Sequence, residues 1–228
     1  PHDHITYANN PPYDNGTTRY THRHEWRTGA NNMPEINVNS GAPANVVTFA
    51  ELRFVMSGAT SAASAGGRPG LLRNLDTTNL EGLPVKQVDS DTFPLNDQSG
   101  IMRTSGCNYG NNPTDAADIA GLKCYLPHIA EGIGPAARNE FVCTSDGAVP
   151  NGNDLIEPQT AVIHAVGMRP ADFRLMQQEL AAVIWSPRSN IVLYGDTARV
   201  SMIDALGVPI ALGTDWMPSG SMNLLREL

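Results

Sequence analysis

The chain has 228 residues, with 15 Lys and Arg against 23 Asp and Glu for a formal net charge of −8. That length buries a sizeable core in one domain, at most two, and the acidic balance argues against nucleic acid as the main partner. No apolar run reaches transmembrane length and no basic amphipathic segment is present, which argues against a membrane partner.

The sequence opens on Pro1-His2-Asp3-His4 with no initiator Met and no signal-like apolar segment. Residues 1–44 are loop-rich, with turn chemistry in Asn9-Asn10-Pro11-Pro12, Asp14-Asn15-Gly16 and Asn31-Asn32-Met33-Pro34. They also carry Tyr7, Tyr13, Tyr20 and Trp26, an aromatic load that suits an ordered functional loop. The segment is a candidate active-site lid, or an ordered surface loop without catalytic contact. A helix is expected over 45–56, with Val46, Phe49, Leu52 and Met56 at helical spacing. Short strands are expected at 58–62 and 70–75, and another at 85–88 inside the least legible stretch, 81–105.

From residue 115 the pattern repeats clearly. A short helix over 115–121 leads to a strand at 122–128, and a helix over 135–143 precedes a strand at 161–164. Pro170 then opens a helix carrying Phe173, Met176 and Leu180. A strand at 182–185, a helix over 197–206 closed by Gly207 and a strand at 208–212 follow. The ending, Asn223-Leu224-Leu225-Arg226-Glu227-Leu228, reads as a helix cut after about one turn. A fragment of a longer protein is therefore expected, and a cytoplasmic location is expected only so far as no upstream leader has been lost.

Strands alternating with helices imply a parallel sheet buried on both faces. Counting a strand that ends at His2 to His4, about eight strands can be placed, which suits a (β/α)₈ TIM-type barrel better than an open doubly wound sheet. No GxGxxG follows an early strand, so a Rossmann domain has no support. The expected organisation is one barrel domain over 1–228, truncated at both ends. Cys107, Cys124 and Cys143 are odd in number and lack CxxC spacing, so idle free thiols are expected over a disulfide framework or zinc cage.

Chemistry is carried by the six histidines. His2 and His4 are two apart, so on a strand both imidazoles face one side and one metal. His22 and His24 repeat that spacing, but Arg23, Arg27 and turn residues surround them; a solvated or substrate-facing loop is the reading favoured there. His128 and His164 each end an apolar strand, where a satisfied core histidine is the usual meaning of one alone. Two at successive carboxyl ends point instead to convergence on an active-site face. Asp215 ends the last apolar strand, where it either caps the next helix or ligates a metal.

These residues resemble the amidohydrolase superfamily, in particular its cytosine-deaminase and chlorohydrolase-like branch. The match runs in order through His2-Asp3-His4, His128-Ile129-Ala130-Glu131, His164, Ser186-Pro187-Arg188-Ser189-Asn190 and Gly213-Thr214-Asp215. It is dense at residues 1–4 and 122–228 and thin over 7–121. The resemblance implies one divalent metal, zinc or else iron, held by His2, His4, His128 and Asp215, which activates water. It implies that Asp215 also accepts the water proton, that Glu131 shuttles a proton to the leaving nitrogen, and that His164 polarises the carbonyl or stabilises the oxyanion. A carboxylated lysine for a second metal has only Lys86 and Lys123 as candidates, neither at the end of a clear strand, so one metal is favoured. Trp216 and Asn190 are candidate substrate-binding residues; Trp216 otherwise packs under the barrel rim and Asn190 is otherwise a turn residue. The β-sandwich that flanks this barrel in the family is missing from the sequence. The implied reaction is attack of water on a C–N bond of a small substrate, by amide hydrolysis or deamination. Attack on a C–halogen or ester bond and a non-catalytic homologue stay as alternatives, and a homo-oligomer is expected from the family.

Overall fold

The computed structural model describes residues 5–63, 67–76 and 88–228. His2, His4 and Lys86 therefore lie outside the described residues. The early loop is ordered around helix α1 (Arg23–Thr28), which ends on the left-handed Gly29. Helix α2 (Ala44–Met56) buries Val47, Ala50, Glu51 and Phe54, packing the apolar ones against Ile5, Ala59, Ala62 and Leu72. The expected face was the other one: Phe49, Leu52 and Met56 are exposed. Apolar residues stand on both sides of this helix, so periodicity alone does not choose the buried stripe.

Strands β1 (Ser61–Ala62) and β2 (Arg73–Asn74) form a parallel pair. Strand β3 (Val88–Asp91) includes the last residue of the strand expected over 85–88, whose other residues lie outside the described ones, and leads through a long irregular stretch to helix α3 (Ala116–Ile119). Then come β4 (Cys124–Ile129), α4 (Pro135–Thr144), β5 (Ala161–His164), α5 (Pro170–Gln178) and β6 (Ala182–Trp185). Helices α6 (Pro187–Tyr194) and α7 (Val200–Ala205) precede β7 (Ile210–Leu212). Helix α6 was not expected; the segment around Asn190 reads as a turn in the sequence, yet Pro187 sits in its first turn and Gly195 closes it in the left-handed region. The terminal segment forms only a 3-10 turn over Leu224–Arg226.

Strands β3 to β7 make a five-stranded parallel sheet in sequence order. One bond, from the Val88 amide to the Leu75 carbonyl at 3.0 Å, links β3 to the segment just after β2. Alternation gives the sheet two buried faces. On one, Val88, Leu126, Ile163 and Ile184 from β3 to β6 form a single cluster with Ala63, just after β1. On the other, Ile129, Val162 and Val183 pack against Phe141, Phe173, Met176 and Ile203 of the crossover helices. The first cluster seats the end of β1, from the two-stranded sheet, against its face of the five-stranded one.

The cysteine expectation is overturned for two of the three. Cys107 and Cys143 form a disulfide, while Cys124 is free. The pair clips the irregular stretch after β3 to the end of α4, beside Leu95 and Tyr109. Its partners are 36 residues apart, with no local spacing to betray them.

Candidate active site

Three of the expected site residues stand where a strand gives way to left-handed backbone. Ala130, directly before Glu131, has φ 57°, His164 has φ 76° and Asp215 has φ 55°. Non-glycine residues seldom adopt this region. Here it breaks the two-residue alternation of the strand at the carboxyl end of the sheet. His128, Glu131, His164, Asp215 and Trp216 line one cavity of about 460 Å³, with Tyr7, Trp26, Arg27 and Phe93 from the early loop and the end of β3 on its walls.

Each polar group is held by a partner behind it. His128 Nδ1 faces the Asp91 carbonyl at 3.2 Å. A carbonyl only accepts, so Nδ1 carries the proton and Nε2 the lone pair of the neutral ring. His164 lies beside it, ring centroids 5.3 Å apart. Its Nδ1 meets Asn190 Oδ1 at 3.0 Å, and the Asn190 amide donates to Thr197 Oγ1 at 3.3 Å, so Nδ1 is again the donor. Asn190 is thus placed behind His164, on α6, and not on the cavity wall. Glu131 Oε2 is 3.7 Å from His164 Nε2, and its Oε1 accepts from the Tyr194 hydroxyl at 2.7 Å, which itself accepts from Trp26 Nε1 at 2.8 Å. Asp215 accepts from the Ser189 hydroxyl. Ser219 bonds Ser189 at 2.8 Å and accepts from Trp216 Nε1 at 2.6 Å, tying Trp216 to the same chain.

The two carboxylates are tuned apart. Burial acts to raise the Glu131 pKa, but His164, Arg23 and the Tyr194 hydroxyl outweigh it and hold the group below the usual range. Asp215 is pushed up to about 6, by burial first and by the nearby Glu131 charge. Such a separation marks groups with different proton duties. Burial and Glu131 also raise the Tyr194 hydroxyl, keeping it a donor.

A divalent metal fits what is present. His128 directs a fixed ring tautomer by a backbone carbonyl, the usual support for a metal-ligating histidine. Asp215 is a buried carboxylate short of positive charge, which a dication supplies. Lys123 precedes β4, at the end of the strand remote from His128.

A second cluster lies alongside, and the sequence reading of it is corrected. His22 and His24 are fully buried, not solvated. His22 caps α1, accepting from the His24 amide at 3.1 Å, and Glu25 closes the reciprocal half of a capping box. The loop after β4 covers them: the Ile133 and Gly134 amides donate to the Thr21 carbonyl at 3.0 and 2.9 Å. Arg23, between them, bridges Asp97 at 2.8 Å and Glu140 at 3.1 Å. His22, His24 and Glu140 bring three ligand atoms within 4.8 Å of one another, a composition that suits a metal. The bonding favours an ion-pair network instead. His24 Nδ1 accepts from Arg27 at 2.8 Å and its Nε2 donates to Asp97 at 2.7 Å, so neither nitrogen offers a lone pair. The Arg23 guanidinium already neutralises Glu140. This cluster escaped sequence reasoning; the Thr21/His22-to-Glu25 spacing, followed by Trp26, was the signal for a capped helix.

Comparison with known proteins finds deaminases among those similar to parts of this chain. A 5-methylthioadenosine/S-adenosylhomocysteine deaminase from Nitratidesulfovibrio vulgaris (strain DSM 19637 / Miyazaki F) is 33% identical over 79 residues, 34% of this chain and 18% of that protein. Among solved structures, the Helicobacter pylori aminofutalosine deaminase in complex with methylthio-coformycin has a TM-score of 0.47 at 13% identity, covering 96% of this chain and 63% of its own. An adenosine deaminase from Xanthomonas campestris with bound zinc has a TM-score of 0.37 at 14% identity, covering 77% of this chain and 46% of its own. The chain thus spans less than two thirds of each of these proteins. No family model matches it.

Proposed function

We propose that the chain is the catalytic part of a hydrolase that cleaves a C–N bond of a small substrate, by deamination or amide hydrolysis. The observation that carries this reading is the convergence of His128, Glu131, His164 and Asp215 from three strand ends on one cavity, with the two carboxylates tuned apart. The fold we infer is a (β/α)₈ barrel. The parallel strands β1 to β7 would supply seven of its strands, and the clustered face its filled interior.

A metal would be held by His128 and Asp215, with His2 and His4 as the family resemblance implies, and would supply the Lewis acidity that makes water a nucleophile near neutral pH. Asp215 accepts a proton from the attacking water, and Glu131, ionised and held by Tyr194, takes that proton on and delivers it to the departing nitrogen. His164, oriented by Asn190 through its Nδ1 proton, donates through Nε2 in its doubly protonated form to the negative charge that develops beside the attacked carbon. Trp216 and Trp26 close one side of the cavity and limit water to the reacting face.

Elemental analysis of the purified chain beside a His128→Ala variant tests the metal. About one equivalent of zinc or iron, lost in the variant, is expected. A panel of cyclic amides and aminated rings then tests the reaction, with Glu131→Gln expected to lower kcat by roughly 10²- to 10⁴-fold at unchanged metal content. A chain that takes up neither metal after reconstitution would refute the reading.

A further inference from the structure

Water activation makes no use of the cation on the cavity wall. Arg27 lines the cavity together with Phe93, Trp26 and Trp216. Its guanidinium carbon lies 4.3 Å from the Phe93 ring centroid. One Nη1 proton goes to His24 Nδ1 at 2.8 Å, and one on Nη2 to the Gln98 carbonyl at 3.4 Å. These contacts fix the plane of the group without forming an ion pair. Among the described residues no carboxylate forms an ion pair with Arg27, whereas Arg23 beside it is met by both Asp97 and Glu140. Burial first, and then the Arg23 charge, weaken the hold of Arg27 on its proton, against the opposing pull of Glu131 and Asp97. Flat apolar surface adjoins it: Trp26 and Trp216 have ring centroids 5.1 Å apart, and Tyr7 meets Trp216 edge-on at 5.4 Å.

We propose that the cavity takes a flat-ring substrate bearing a carboxylate, with the carboxylate on Arg27 and the ring against Trp26 and Trp216. This specifies the substrate class of the hydrolase reading and rests on it. A planar guanidinium edge matches a carboxylate with two parallel hydrogen bonds. A phosphate dianion suits the cavity less, because repulsion from Glu131 and Asp215 scales with ligand charge and Arg27 is the one cation there without a carboxylate partner among the described residues.

The test is isothermal titration of the purified chain with benzoate and with its uncharged counterpart benzamide, before and after metal is stripped with a chelator. Benzoate is expected to bind about 10-fold tighter than benzamide or better, in both metal states. The ratio should fall to near one in Arg27→Gln and be partly kept in Arg27→Lys, each checked for folding by a thermal melt. A wild-type ratio near one overturns the proposal without any variant. So does a preference that survives Arg27→Gln, or one present only with metal, which would seat the carboxylate on the ion. No turnover is read, so absence of metal or of hydrolysis counts against the hydrolase reading alone, and absence of the benzoate preference against this one alone.

Discussion

Asp215 is 5% exposed, shares its cavity with the Glu131 charge, and has its pKa pushed up from 3.8 to about 6. A folded-state value above the unfolded one means that the folded chain binds the proton more tightly. Stability from this group is therefore present below pH 4, falls as pH rises towards 6, and is fully lost above that. A shift of about two pKa units corresponds to about 3 kcal/mol. In the metal-free chain, Asp215→Asn removes the ionisation and keeps a polar group for Ser189 to meet. It should raise the melting temperature at pH 8 by roughly 5–10 °C and change it little at pH 4. Calorimetric scans at both pH values check this, and equal melting at pH 8 would remove the carboxylate from the account. A dication competes with the same proton, so added zinc should stabilise the wild-type chain more at pH 7.5 than at pH 5.

The connections do the aiming, and glycine decides whether they can. In the turn after β4, Gly132 has φ 148°, and a Cβ there would run into the carbonyl oxygen of Thr21 and the Cα of His22. The early loop presses on that turn through the Arg23 amide, which donates to the Glu131 carbonyl at 3.0 Å. Gly132→Ala should therefore separate the two segments and cost roughly 2–4 kcal/mol, read as a lowered midpoint in urea unfolding, with activity falling further because Glu131 moves. An unchanged midpoint would show that the contact yields freely. The strand ends were legible because His128, His164 and Asp215 each interrupt an apolar run, and a buried polar group there needs a reason. The backing was not legible. Asn190 reads as a turn residue until α6 forms, and Tyr194, Ser189 and Ser219 reach the site only through tertiary bonds. His22 and His24 look solvated because their charged and turn-rich neighbours hide that Asp97 and Glu140, 73 and over a hundred residues on, come in to pair with them.

At the scale of the molecule, parallel order was written in the alternation after residue 115, where each strand and helix buries a face of its own. The stretch between β3 and α3 had no such periodicity, because it is held by loop bonds and by a covalent clip. The Cys107–Cys143 disulfide spans 36 residues and fastens this stretch to α4, the helix whose Glu140 meets both Arg23 and the Ala130 amide. Closing a loop of that length restricts the unfolded chain by about 3–4 kcal/mol in the chain-entropy account. Reduction should therefore lower the melting temperature by roughly 5–15 °C, and Cys107→Ser should melt at the reduced value whether or not dithiothreitol is added. Peptide mapping under non-reducing conditions should recover a 107–143 cross-link with Cys124 free to alkylate. Three alkylated thiols in the native protein would restore the expectation of idle cysteines. A bond that persists in the protein taken directly from its source would instead place the chain in an oxidising compartment, since a reducing cytosol opens such pairs.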